Sequence, residues 1–555
     1  MFRRHRDSRK QGVMTASAET PPTTDAGTSR PSPTGPDSPA PSPTTLSLGG
    51  RNLTSAETTG LEKDALGTWG VFAQGLAAAA PSVAIAVVPF ALYTAAGKGA
   101  AWAAIVGLVI ALLIAGTIGF QARRTVSSGS LGTYTGNGLG PGFAFVAGTS
   151  LLLGYIGFAT TGTLGGVLYV DAFLFEIGLG SEATWFKLLL VVIVVGVGIY
   201  LPLRGATLAA RYELAFEVLA LVSIAVIIIA SYVAYGFRFD AEQLSLSNLG
   251  DSSTFVAAVT AVGAYAGFES VASLGAEARD AHRTIARALL RVVLIIGVLY
   301  LLATYPQVLH FDGFDGDKAV LPQLADDTGV AWINPVVSAA VAIAFIVFVT
   351  AVTTSAARSL FTLAHEGAIP KVLAQAHPRY RTPWVGILLV GAVALVFAVV
   401  ATFSSAGRLV FDVYGAYVAN WGFLISYLLV VIATPIWLYR IKALTPVRAI
   451  VSGLAALGLG YVILNNVYPQ PEWPFNVLPL VYAAILAVAV GWYLYLRRAR
   501  PDVARRIGSI QTLSVEEYAR LADLGIVEVL HADSDSTTDD HRRPDTDHFD
   551  AAARH

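Results

Sequence analysis

The chain has 555 residues, of which 55% are hydrophobic and only 14% charged, with a net charge of −1 and no cysteine. Soluble domains carry about 25% charged residues, so this composition excludes a water-soluble globular protein. The lack of cysteine excludes disulfides, thiol catalysis and thiolate metal sites.

Residues 1–60 are rich in Pro, Thr, Ser and Gly, with the run PSPTGPDSPAPSPTT. Such a segment buries too little apolar surface to offset its ordering entropy, and a disordered cytoplasmic tail is expected. The basic start (Arg3, Arg4, Arg6, Arg9, Lys10) has no apolar core after it. No cleavable signal is therefore expected, and the first span acts as the insertion signal. About a dozen segments then meet the requirement of about 20 apolar residues for a crossing. They are 66–96, 100–121, 143–176, 185–202, 208–235, 253–275, 288–310, 332–360, 384–403, 409–439, 447–466 and 474–496. The fold class is thus an all-α polytopic membrane protein with 12 transmembrane helices, since the alternation of outer-membrane strands is absent. Between the second and third spans, 127–142 reads as too glycine-rich for a helix and too apolar for an ordinary loop. Past the last span, 501–555 reads as a largely disordered tail, with a short amphipathic helix expected over 512–525.

Basic residues fix the orientation. Arg123, Arg124, Arg204, Arg279, Arg283, Arg287, Lys371, Arg379, Arg381, Arg440, Lys442, Arg448, Arg497, Arg498 and Arg500 fall on one side, against Lys98, Lys187, Arg238, Lys318 and Arg408 on the other. The basic side, and with it both termini, is expected in the cytoplasm of a plasma-membrane protein.

Two spans are unusual. The first is interrupted at Ala80-Pro81-Ser82, and Pro81 removes a backbone donor and frees a carbonyl near Ala77. The sixth carries Gly263, Gly267 and a mid-span acid, Glu269, before turning abruptly charged. Glycines and a carboxyl at that depth point to a break lining a cavity; a close helix contact with a structural Glu269 is the alternative. The two lie five spans apart, so 61–236 and 237–442 form a five-plus-five inverted repeat, followed by an accessory pair over 443–500. Substrate in such a repeat sits between two discontinuous helices, 1 and 6. Half-helix N-termini suit an anion and unwound carbonyls suit a cation. An amino acid carries both.

Three motifs share one resemblance. AYAGFESVASLGAEARDAHRTIARAL at span 6, AARSLFTLAHEGAIPKVLAQAHPRYRTP after span 8 and GSLGTYTGNGLGP after span 2 are similar to signatures of the amino acid–polyamine–organocation superfamily. The chain resembles its bacterial amino acid permeases over about residues 66–500, and the resemblance implies their LeuT-like fold. It departs at Ala281 and Ala286, where the family often has prolines, and at Ala364-His365-Glu366. The family's glycine-rich signature on span 1 has as its nearest match Ala79-Ala80-Pro81-Ser82-Val83-Ala84, without glycine. The Ser82 hydroxyl and the N–H groups of Ser82 to Ala84 are the candidates for the substrate carboxylate. By resemblance, Tyr265-Ala266-Gly267-Phe268-Glu269 supplies carbonyls for the amine and an aromatic gate. Tyr155, Tyr414 and Tyr417 are candidates for lining the cavity or for core.

The resemblance implies a secondary active transporter of amino acids, with proton-coupled uptake by alternating access. An exchanger, a carrier of polyamines or organic amines, and a non-transporting substrate sensor are the alternatives. For the coupling ion, a buried carboxyl trades its proton nearer neutrality than an exposed one. Glu217 on span 5 is the first candidate, an ion pair with Arg211 its alternative, and Glu269 the second. A sodium site would use Thr350, Thr353 and Thr354 on span 8, though membrane hydroxyls commonly bond their own backbone. No nucleotide loop or catalytic motif appears. Neither enzyme activity, cofactor, metal nor nucleic-acid partner is expected; the partners are a small amine-bearing substrate and the lipid bilayer.

Overall fold

The computed structural model describes residues 64–237, 240–311, 314, 320–403, 415–468, 473 and 476–513, together with 45–48, 51–53, 61 and 527–530. The described residues are almost wholly helical. In chain order the helices are α1 Thr68–Ala79, α2 Pro81–Ala96, α3 Ala100–Ala122, α4 Ser130–Leu139, α5 Pro141–Glu176, α6 Thr184–Arg204, α7 Ala206–Ala234, α8 Leu246–Leu249, α9 Ser252–Gly263, α10 Ala281–Val308, α11 Val320–Asp327, α12 Asn334–His365, α13 Trp384–Phe403, α14 Gly415–Arg440, α15 Pro446–Asn465, α16 Leu478–Ala499 and α17 Pro501–Arg506. Five short strands accompany them, β1 Thr45–Leu48, β2 Arg51–Leu53, β3 Thr125–Val126, β4 Thr512–Leu513 and β5 Val527–Leu530. Among the described residues, eleven helical segments are long and apolar enough to cross a bilayer, the first of them the 55-residue stretch Thr68–Ala122. The protein is therefore a multi-pass membrane protein. The helix α5 packs between α12 and α14, α3 packs on α9 and α10, and α1 packs on α7, α10 and α12.

Helix breakers are compensated locally. Pro89 lies inside α2, where it removes the N–H that the Ile85 carbonyl would receive. Gln307 Nε2 donates to that carbonyl instead, at 3.3 Å, so a buried acceptor is not left empty.

In three places the structure differs from the expectation. The glycine-rich stretch after α3 is helical over Ser130–Leu139. Its glycines serve close packing, since a Cβ on Gly138 would lie 2.0 Å from the Ala433 carbonyl oxygen on α14, and tertiary contact overrides weak propensity. At the C-terminal end, α17 is followed by Ile507, Ser509, Ile510 and Gln511, all buried. Gln511 exchanges two hydrogen bonds with Asn137, both 3.1 Å, and accepts one from the Thr125 hydroxyl at 2.6 Å. That anchors β4 antiparallel to β3. Third, residues 45–48 and 51–53, within the segment expected to be disordered, pair in the order β2-β1-β5 with Val527–Leu530; the alternation of Thr45-Leu46-Ser47-Leu48 fits a strand's period of two. The amphipathic helix expected over 512–525 lies outside the described residues past 513.

Candidate functional site

The first helical pair breaks at one residue. Ala80 takes the left-handed conformation, φ 42° and ψ 64°, and α2 begins on Pro81. A left-handed conformation at a non-glycine residue costs about 1–3 kcal/mol and persists only where its surroundings enforce it. Ala80 N–H donates to the Leu76 carbonyl at 3.0 Å, closing α1. Pro81 brings no N–H to the Ala77 carbonyl, so that acceptor loses its helical donor.

Of the three N–H groups expected to face a carboxylate, two are engaged. Ser82 N–H donates to Glu217 Oε1 on α7 at 3.0 Å, and Ala84 N–H donates to the Ala80 carbonyl at 3.0 Å. Among the described residues, Val83 N–H meets no backbone acceptor. Glu217 is fully buried, and its Oε2 has no hydrogen-bond partner among the described residues. No described cation pairs with it; the Arg211 side chain lies outside the described residues.

The second break follows α9. Residues 264–267 leave the helix, Gly267 turns to φ 108°, and Phe268–Leu274 continues as a tighter 3-10 turn. A Cβ at position 267 would lie 2.2 Å from the Ala78 carbonyl oxygen and 3.1 Å from Ala79 N. Glycine is required here twice over, by its positive φ and by the contact. The two breaks thus touch main chain to main chain.

Glu269 holds this segment in place. Its Oε2 accepts from Gly267 N–H at 3.0 Å and from the Tyr427 hydroxyl, and its Oε1 accepts from the Tyr155 hydroxyl at 2.7 Å. Three donors from α5, α14 and the break itself meet one fully buried carboxyl, as a buried ionisable group requires. The Tyr300 hydroxyl on α10 donates to the Ala264 carbonyl at 2.8 Å, and its ring lies 5.2 Å from that of Tyr265. Phe268 is buried with its ring 5.6 Å from Tyr427.

The other expected residues sort differently. Tyr155 belongs to the Glu269 cluster. The Tyr417 hydroxyl donates to the Asn466 carbonyl beyond α15 at 3.3 Å. Tyr414 lies outside the described residues. Thr350 and Thr354 donate to the Ile346 and Thr350 carbonyls of their own helix at 3.0 and 2.8 Å; Thr353 is buried beside them on α12. Gln74 on α1 donates to the Ala351 carbonyl on α12 at 3.0 Å, and neither it, Tyr300 nor Tyr427 is signalled by the sequence, because a lone polar residue on an apolar span has no spacing to betray its direction. The helix α12 also sends Arg358 to Glu277 past the second break, Nε to Oε2 at 2.5 Å, with both side chains buried. Beside that pair, Leu66 N–H donates to the Glu277 carbonyl at 3.0 Å and Arg279 N–H to the Leu66 carbonyl at 2.8 Å. The approach to α1 and the exit from the second break are thereby joined.

Known proteins resemble the chain over much of its length. The chain is 28% identical to the low-affinity putrescine importer PlaP of Escherichia coli over 52% of its own length and 64% of that protein's, so it covers less than two thirds of this relative. It is 22% identical to the branched-chain amino acid permease BcaP of Bacillus subtilis over 73% of its own length and 87% of the relative's. It is 24% identical to the methylthioribose transporter of Bacillus subtilis over 61% and 74%. The amino acid permease family model matches residues 66–490. With two broken helices meeting at Gly267 and a family match across most of its length, the chain belongs to the amino acid permease family, within the amino acid–polyamine–organocation superfamily.

Proposed function

We propose that the protein is a secondary active transporter of amino acids or organic amines in the cytoplasmic membrane, working by alternating access and coupled to protons through Glu217. The observation that carries this is the bond from Ser82 N–H to Glu217 Oε1, made where the two broken helices meet. A carboxyl with one oxygen on the α2 start and the other unpartnered gains and loses a proton in contact with the substrate-holding main chain. The carboxylate of an amino acid is read by the start of α2 around Val83, and the amine by carbonyls that the breaks free, Ala77 and Ala266 among them. Helical over its length, the 55-residue stretch Thr68–Ala122 would extend about 80 Å, against about 30 Å of hydrocarbon. Reading it as two crossings gives twelve spans, with 61–236 and 237–442 as inverted halves and both termini in the cytoplasm.

A carrier or exchanger of polyamines is the second reading, favoured by the two buried carboxyls and by the similarity to the putrescine importer. Uptake of labelled branched-chain amino acids and of putrescine into liposomes, with and without an inwardly directed proton gradient, acid outside, separates the two. Glu217→Gln keeps an acceptor for Ser82 N–H but removes the titrating group. The variant is expected to lose gradient-driven accumulation while retaining exchange into preloaded vesicles; normal accumulation by the variant would remove Glu217 from the coupling role.

A further inference from the structure

Away from the helix breaks, three arginines converge at one end of α6. Arg204 closes that helix, and Arg379, Tyr380 and Arg381 come from the turn before α13; together the four line a cavity of about 300 Å³. The turn is held rigidly. His377 N–H donates to the Thr382 carbonyl and Arg381 N–H to the His377 carbonyl, both at 2.8 Å. His377 Nδ1 accepts from the N–H groups of Arg379 and Tyr380 at 3.1 and 3.2 Å. The Thr382 hydroxyl donates to the Leu203 carbonyl at 3.1 Å, fastening the turn to the end of α6.

Two of the cations stack on rings, and no acid among the described residues pairs with any of the three. The Arg204 guanidinium lies 4.9 Å from the Tyr200 ring centre and 5.6 Å from that of Tyr380, which Arg379 also approaches to 5.6 Å. Arg204 donates to the Tyr380 hydroxyl at 3.0 Å, leaving the hydroxyl proton to be given elsewhere. Among the described residues, none of the three arginines makes an ion pair with a carboxylate. A planar guanidinium offers several donors in a fork that matches a phosphate. Three of them around one cavity, at the end of an apolar span whose Tyr200 is half exposed, fit a phosphate whose acyl chains lie against that span.

We propose that Arg204, Arg379, Arg381 and Tyr380 form a binding site for the phosphate of an anionic phospholipid at the edge of the bilayer. The headgroup phosphate takes donors from Arg379 and Arg381, the Tyr380 hydroxyl gives its proton to the same phosphate, and the acyl chains run along α6 past Tyr200. The site depends only on the chain lying in a membrane, and not on the substrate or coupling ion.

The test uses the full chain in phosphatidylcholine nanodiscs, titrated with fluorescent phosphatidylglycerol. Arg379→Gln/Arg381→Gln is compared with Arg497→Gln/Arg498→Gln, which removes the same charge from the end of α16, and both are checked for unchanged melting. With one direct hydrogen bond to the phosphate lost per arginine, at about fivefold each, the first variant is expected to lose about thirtyfold in affinity, and the second less than about threefold. Equal losses in the two would reduce the effect to general surface charge and overturn the site. Equal binding of fluorescent phosphatidylcholine by the parent would overturn it as well. Displacement of the lipid by millimolar inorganic phosphate would reassign the cavity to a soluble anion and overturn the lipid assignment.

Discussion

Glu217 and Glu269 are both fully buried carboxyls near a helix break, and they differ in how many donors each meets. Glu269 meets three, from Tyr155, Tyr427 and Gly267; Glu217 meets Ser82 N–H through one oxygen only. Under the proposed proton coupling, that contrast gives Glu269 the task of positioning the second break and Glu217 the proton. In Glu269→Gln an amide NH₂ must face a hydroxyl or an N–H that previously donated. A buried donor is left unpaired, which costs about 1–3 kcal/mol. Tyr155→Phe removes the donor to Glu269 Oε1 and leaves that buried oxygen unsatisfied, so its cost is expected to be similar, about 1–3 kcal/mol. Melting of the two purified variants checks both. A Glu269→Gln protein as stable as the parent would mean that the three bonds do not hold the break.

At the scale of elements, the breaks were legible where chemistry leaves a mark in the chain. Pro81 announces the loss of a donor, and Gly267 beside Glu269 announces a turn at membrane depth. The companions of those breaks were not legible. Tyr414, Tyr417 and Tyr427 all sit on or just before α14, and nothing in their spacing says that Tyr427 reaches Glu269 while Tyr417 reaches Asn466. The helix Ser130–Leu139 was hidden because its three glycines, two of them at close backbone approaches, look in one dimension like three breakers. If the Pro81 break serves substrate through freed main chain, restoring the donor should weaken binding without harming the fold. Pro81→Ala supplies an N–H within reach of the Ala77 carbonyl. Substrate affinity is expected to fall about tenfold, the equivalent of one hydrogen bond, with no drop in melting temperature. A thermal-shift titration with the transported amino acid or amine reads both quantities at once, and unchanged affinity would place the substrate away from Ala77.

For the whole molecule, the question is what keeps the broken helices sealed from the face that carries Arg123, Arg204 and Arg379. Three separate parts of the chain meet at one place. Leu66, ahead of α1, is bonded on both sides to Glu277 and Arg279, and Glu277 is paired with Arg358 inside α12. Removing one partner would strand a buried charge at about 3–5 kcal/mol, whereas neutralising both is often tolerated. The informative variant is therefore Glu277→Gln/Arg358→Gln, which retains side-chain volume and removes the ionic tie. The chain has no cysteine, so Ala79→Cys, at a buried position beside the first break, is the sole thiol and reports access directly. If the pair biases the protein towards a state closed on that face, its loss shifts the population, and about 1.4 kcal/mol of bias corresponds to about a tenfold change. A membrane-impermeant thiol reagent added from that face is expected to label Ala79→Cys about tenfold faster in the double variant than with the pair intact. Labelling at the same rate in a double variant that still melts cooperatively would show that the seal lies elsewhere in the bundle, with Gly267 against Ala78 the next contact to test.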